Sequence, residues 1–375
     1  MRLDEEPPST GVNRVIEASS TTVIPGLSPG FIPGFGPDRA AFIRQVLADA
    51  DVVVELPGGV PLPFRRVPHR DVSLPYVFQM GSRDGFADEE PVHRVVLREA
   101  VYLAVFPVTQ AQWRSVVEAW GGTTVGSEGN PEPLKEDPSR FKGDDRPAEM
   151  VSWHDAAAWC GVLESRLRLG LQSGLESDPH ADPRPALKMV SSHLRVQWRD
   201  GVSRRISGFR LPSESEWECG CRAGTRTAFS SGDGESALRA AGWFDRNSGH
   251  ETHAVGELRA NGWGLYDVHG NVWEWCADVW DGRAYGKRAP EVVGGPGVEA
   301  TDLACPGRDW TLGDAGADAQ YWEEGQRPRT GPGRVTRGGS WFVTAWRCRS
   351  AIRDWWWPDN RNWDTGFRPC LVPGP

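Results

Sequence analysis

The chain has 375 residues, 39% of them apolar, with 51 acidic against 42 basic side chains and a formal net charge of −9. That length and apolar share suffice for one large domain with insertions or two ordinary ones, and the acidic balance leaves no broad basic footprint, so nucleic acid and an anionic membrane surface are not expected partners. No apolar run reaches the roughly 18 residues of a membrane span, and the start Met1 to Pro8 lacks the charged-then-apolar secretory pattern, so the expectation is cytoplasmic synthesis without direct membrane insertion; a phage virion or the cell surface would be reached by a route not visible in the sequence.

Residues 1–75 read as an N-terminal arm with one short helix that packs on, or leads into, the domain. Residues 1–30 mix Pro, Ser, Thr and Gly without period. The helix falls at 37–50, where Phe42, Ile43, Val46 and Leu47 recur at helical spacing. The domain proper is expected over 76–375. It opens on a hairpin, Tyr76 to Met80 and Pro91 to Leu97, around an acidic turn from Asp84 to Glu90. A second helix runs from Asp155 to Leu169, with Ala156, Trp159, Cys160 and Leu163 on one face and Ser152 or Asp155 as its cap. A third begins at Ser213, because Ser213-Glu-Ser-Glu216 after Pro212 has capping-box spacing. The stretches at about 171–208 and 281–333 are polar or rich in Gly and Pro and read as surface insertions. The 44 Gly, 30 Pro and 19 Trp predict little regular structure and a core built on large rings. Seven cysteines without a zinc-type C-x-x-C pair read as reduced thiols.

The most informative stretch is the last forty residues. Arg337-Gly-Gly-Ser-Trp341, Arg349-Ser-Ala351, Pro358-Asp359 and Gly366-Phe-Arg368 form a frame around residues with no helical or strand period: Phe342, Val343, Thr344, Trp346, Arg347, Ile352, Asp354, Trp355, Trp356, Trp357, Asn360, Asn362, Trp363 and Asp364. Successive side chains of a strand point to opposite faces, and Pro358 argues against helix, so the three consecutive tryptophans cannot all enter one core. Exposed rings of that size dominate binding hot spots. The frame arginines 337, 349, 353, 361 and 368 interleave with Asp354, Asp359 and Asp364, which suggests bidentate pairs holding an irregular backbone. Gly338, Gly339 and Gly366 suit positive φ or close chain approach.

Phe209-Arg-Leu-Pro-Ser-Glu-Ser-Glu-Trp-Glu218 and Asn261-Gly-Trp-Gly-Leu-Tyr-Asp-Val-His-Gly-Asn-Val-Trp-Glu-Trp-Cys276 resemble the formylglycine-generating-enzyme family, as do Met80-Gly-Ser82, Pro107-Val-Thr109, Pro147 to Trp153 and the Gly-Gly-Ser-Trp block. The resemblance implies an α+β fold of the C-type-lectin-like, formylglycine-generating-enzyme type, loop-rich and sparse in regular secondary structure. Within that family the C-terminal frame is similar to variable proteins of diversity-generating retroelements, whose scaffold stays constant while selected codons vary. That implies a ligand-binding, receptor-like protein rather than an enzyme, with a variable region at about 337–368, an unidentified partner that is a protein or a cell-surface molecule, and no required cofactor. The non-periodic residues named above, from Phe342 to Asp364, would be its contact surface.

Two alternatives stay open: a copper oxidase of the formylglycine-generating type and a structural virion or adhesion component. The oxidase needs two thiols near the C-terminal block, suited to soft Cu(I). Val343 stands where the first is expected, leaving Cys348 and Cys370 nearby. The turn Asn271-Val-Trp-Glu274 resembles a segment that binds Ca²⁺ in some relatives, which would make Asn271 and Glu274 oxygen ligands of a structural ion. His250 and His253 read as a solvated or structural pair rather than metal ligands.

Overall fold

The computed structural model describes residues 39–120, 133–173, 194–201, 204–287, 291–294 and 332–374. The expected arm at 1–30 and most of both expected insertions lie outside the described residues.

Helix α1 (Ala40–Asp49) forms where the spacing predicts it and buries Ala40, Ile43, Val46 and Leu47. These side chains meet Val105, Phe106 and Val255. Strands β1 (Val52–Glu55) and β2 (Pro61–Val67) follow. They pair antiparallel in the register Val52 to Phe64 and Val54 to Leu62. The domain's sheet thus begins well before residue 76. A run of three valines hides the strand alternation from the sequence, yet Val52 and Val54 turn inward and are fully buried.

The largest sheet has six strands in the order β6-β1-β2-β5-β13-β7. It adds β5 (Val101–Ala104), β6 (Arg195–Trp198), β7 (Ile206–Arg210) and the C-terminal β13 (Cys370–Pro373). Strand β13 enters between β5 and β7, so the chain closes by filling the gap its earlier strands leave. One core layer lies between this sheet and helices α2 (Gln110–Trp120) and α3 (Trp153–Ser173), built on Phe64, Trp113, Val116, Trp159, Leu163 and Phe367. A second contains Val67, Met80, Leu103, Trp217, Leu265, Cys276 and Val335.

The expected hairpin is present as β3 (Tyr76–Met80) and β4 (His93–Leu97), with Tyr76 opposite Leu97 and Met80 opposite His93. The stretch expected as the second excursion contributes β9 (Glu291–Gly294), parallel to β4, and the first contributes β6, paired with β1. Helix α3 is capped reciprocally: the Asp155 N–H donates to Ser152 Oγ at 3.1 Å and the Ser152 N–H to Asp155 Oδ2 at 2.9 Å. Helix α4 (Glu214–Arg222) carries the predicted capping box, with the Glu216 N–H on Ser213 Oγ at 3.3 Å and the Ser213 N–H on Glu216 Oε2 at 2.8 Å.

Large rings do fill the core. Trp113, Trp217 and Trp275 are buried, and each satisfies its indole N–H: on the Lys135 carbonyl at 2.8 Å, Glu274 Oε2 at 2.7 Å and the Val151 carbonyl at 3.0 Å respectively. The six described cysteines are all buried and unpaired. Two short helices, α5 (Glu235–Arg239) and α6 (Ala284–Lys287), sit in the loops. No described helix is long and apolar enough to cross a membrane.

Candidate binding surface

The C-terminal segment begins on a four-stranded sheet ordered β11-β10-β8-β12. Its members are β8 (Trp273–Val279), β10 (Arg334–Arg337), β11 (Asp354–Trp356) and the two-residue β12 (Thr365–Gly366). After β10 the backbone turns through Gly338 and Gly339, at φ 97° and 76°. A Cβ on Gly339 would stand 2.6 Å from both the Arg347 carbonyl and the Cys348 sulfur. Gly366 is needed for approach rather than for φ, since a Cβ there would meet the Ala148 carbonyl at 2.6 Å.

The frame arginines are paired, but their partners come from elsewhere in the chain. Arg349 binds Glu89 through two bonds of 2.8 and 2.6 Å, and Arg353 binds Glu214 through two of 2.5 and 3.0 Å. Arg361 binds Asp155 at 2.7 and 3.0 Å, and Arg368 binds Glu274 at 2.7 and 3.0 Å. Arg337 bridges Glu214 and Glu218 of α4 and donates to the carbonyls of Ser350 and Ala351 at 2.9 and 3.1 Å. Burial opposes ionisation of Glu218, yet Arg222 and Arg337 hold its carboxyl below the ordinary range. The interleaved aspartates serve otherwise. Asp354 meets Arg347 at 3.2 Å, and Asp364 accepts from Ser340 Oγ at 2.8 Å. A local ladder of pairs was the wrong picture, because bidentate forks that join distant elements fix position in three dimensions while neighbours along one strand cannot.

The structure divides the expected contact set. Phe342, Trp346 and Trp363 are 46%, 42% and 40% exposed, and Thr344 is exposed as well. Val343, Arg347, Asp354, Trp355, Trp356, Trp357, Asn360 and Asn362 are half-buried. Ile352 and Asp364 are corrections to the expected surface: both are buried, Ile352 at 1% exposure and Asp364 at 8%. Asp364 lies beneath the surface tying Ser340 to Thr365, so it belongs to the support.

The tryptophan triplet obeys the strand rule. Trp355 pairs across β11–β10 with Val335 and packs against the second core layer, beside Trp280 at 6.3 Å between ring centres. Its neighbour Trp356 packs against the first layer. Trp357 returns to touch Trp355 edge-on at 5.1 Å.

Two aromatic groups stand out from this support. In one, Phe342 meets Trp341 at 5.2 Å and Trp363 at 6.2 Å, and Trp341 meets Phe141 at 5.3 Å. In the other, Trp346 receives Phe86 edge-on at 4.5 Å and carries the Arg349 guanidinium 4.0 Å above its ring. Phe86 and Arg140, which lies 4.4 Å over Trp363, were not identified from the sequence. The acidic turn at 84–90 held a usable signal: Glu89 in it is the buried partner of Arg349. Arg140 has no such signal.

The residues expected to bind Ca²⁺ do not fit that ion. Glu274 is buried with both carboxylate oxygens accepting from Arg368, one also from Trp217, and Asn271 Oδ1 accepts the His253 N–H at 3.0 Å. Among the described residues no group of three or more His, Cys, Asp or Glu side chains is arranged to hold a metal. His253 stacks on Trp243 at 3.7 Å and bonds the Ser248 carbonyl at 2.7 Å, a structural role. The two thiols near the block are apart: Cys348 lies among Phe229, Leu238 and Phe244, whereas Cys370 lies on β13 in the second core layer. Burial raises both, Cys370 to about 12.

The sulfatase-modifying factor enzyme 1-like domain matches residues 71–371. The chain belongs to this family. The formylglycine-generating enzyme of Mycobacterium tuberculosis is 32% identical over 225 residues, covering 53% of this chain and 70% of that enzyme. The chaperone protein LppX of Paenibacillus barcinonensis is 26% identical over 192 residues, 47% of this chain, and the match spans only 61% of LppX itself. Among solved structures, Treponema denticola variable protein 1 aligns at a TM-score of 0.54 and 25% identity, over 86% of this chain and 99% of its own. PvdO from Pseudomonas aeruginosa aligns at 0.51 and 21% identity, over 79% and 91%. The sulfatase-modifying factor family therefore supplies the C-type-lectin-like fold expected from the motifs.

Proposed function

We propose that the chain is a ligand-binding protein, the variable protein of a diversity-generating retroelement, and that the segment 337–368 displays its contact surface. The observation that carries this reading is a separation of roles within one segment. Arg337, Arg349, Arg353 and Arg368 are buried and committed to carboxylates, while Phe342, Thr344, Trp346 and Trp363 project between them. A backbone fixed by buried forks tolerates exchange of the projecting side chains, and rigid rings beside Asn and Thr supply the mixture of apolar and polar contact found in paratopes. The likeness to Treponema denticola variable protein 1 supports it. The partner is a protein or a cell-surface molecule, and no cofactor takes part.

Sequencing the locus tests this. A near copy of the codons for residues 337–368 beside a reverse-transcriptase gene, differing from the gene only where the copy has adenine, is the expected result; absence of such a copy overturns the diversified reading.

The named formylglycine-generating relatives favour a second reading, a copper oxidase. It needs a pair of thiols in reach of one ion, and the separation of Cys348 from Cys370, with Val343 at the other expected position, weighs against it. Tight Cu(I) binding by the purified chain, lost on Cys348→Ser, would reinstate it.

A further inference from the structure

We infer that the contact surface is completed by two side chains outside the C-terminal segment, Phe86 and Arg140, and that it takes a protein loop presenting a carboxylate beside an apolar side chain. This rests on the binding reading above. Of the six large apolar side chains exposed among the described residues, four are Phe86, Phe342, Trp346 and Trp363. Phe86 is held in place. Its N–H donates to Glu89 Oε1 at 3.0 Å, and Glu89 is the carboxylate gripped by Arg349, so one carboxylate ties the loop between β3 and β4 to the turn that carries Trp346.

Arg140 supplies the charge. Its guanidinium carbon sits 4.4 Å from the Trp363 ring centre and 5.7 Å from that of Phe141. The side chain is exposed and has no carboxylate partner among the described residues, whereas each frame arginine is committed to a carboxylate and Arg347 is paired with Asp354. A guanidinium stacked on a ring keeps its N–H fork directed outward and pre-ordered, which suits a planar carboxylate better than a diffuse charge. The rings of Trp363 and of Phe342 beside it would cover the apolar neighbour of that carboxylate and exclude water from the pair.

The test uses the full chain and a phage-displayed library of random linear peptides. Selected peptides are expected to carry Asp or Glu next to an aromatic or aliphatic residue. A synthetic copy of the best binder should lose roughly tenfold in affinity when its acid becomes the amide, the scale of one charge-assisted hydrogen bond. Arg140→Ala should cost the acidic peptide the same factor, leave the amide peptide unaffected and leave the melting temperature in place; Phe86→Ala should weaken both peptides. Binders without acid enrichment, or with affinity indifferent to Arg140→Ala, overturn the inference. If such binders still weaken on Phe342→Ala or Trp363→Ala, the contact surface stands and only the acidic preference fails. If no peptide is selected, or if binders ignore every one of these rings, both fail.

Discussion

Arg349 and Glu89 lie 260 positions apart and meet through two hydrogen bonds of 2.8 and 2.6 Å, both side chains buried in the protein. This pair pins the C-terminal segment to the loop between β3 and β4. Removing one partner leaves the other charge buried and unpaired, at a cost of about 3–5 kcal/mol. Arg349→Ala should therefore lower stability by that amount in chemical denaturation, and Arg349→Met combined with Glu89→Leu should recover much of it. A loss under about 1 kcal/mol for Arg349→Ala would mean that the pair is not part of the support.

The projecting rings should be separable from stability. Phe342→Ala, Trp346→Ala and Trp363→Ala remove side chains that are 40–46% exposed, and each should cost no more than about 1 kcal/mol. Trp355→Ala removes a ring packed on Trp280 and pressed against Gly333 and should cost about 2–3 kcal/mol. Thermal melts of the four variants would check the ordering; equal losses would contradict the division into display and support.

Glu149 links the surface to pH. It is buried, one carboxylate oxygen accepts the Phe141 N–H at 2.9 Å, and the other finds no hydrogen-bond partner among the described residues. Burial raises its pKa from 4.5 to about 8. Since the folded value lies above the unfolded one, its contribution is fully present below pH 4.5 and is lost as pH rises through about 8. Glu149→Gln keeps the acceptor for Phe141 and should remove this dependence. The melting temperature of the natural protein should fall by several degrees relative to the variant across that window. Parallel profiles would refute the assignment.

Gly339 should not accept a side chain. Its φ of 76° and the 2.6 Å approach to the Arg347 carbonyl and Cys348 sulfur combine backbone strain with a clash. Gly339→Ala should destabilise by about 1–3 kcal/mol or more, measured by denaturant titration, whereas Gly58→Ala, with φ 73° but open space around it, should cost less.

Much of the local structure was legible because its causes are local. The Ser213 capping box, the spacing of Ile43, Val46 and Leu47 and the hairpin strands each depend on residues within a few positions. The same holds for the triplet Trp355 to Trp357, whose opposite facings follow from strand geometry alone. Strand β1 was missed because inward and outward positions are all valine through Val54, so the alternation exists only in the burial.

The sequence by itself determined the family, the irregular C-terminal segment and the presence of a glycine- and arginine-built frame, since motif order and residue type are written in the chain. Only the tertiary structure decided what the frame grips. Glu89, Glu214, Glu218 and Glu274 are drawn to their arginines by burial, where an unpaired charge is costly, and chain separation plays no part in that choice; Asp155 grips the half-buried Arg361 nearer the surface. The same enclosure withdraws Ile352 and Asp364 from the surface, and the path of the chain brings the exposed Phe86 and Arg140 beside Trp346 and Trp363 respectively.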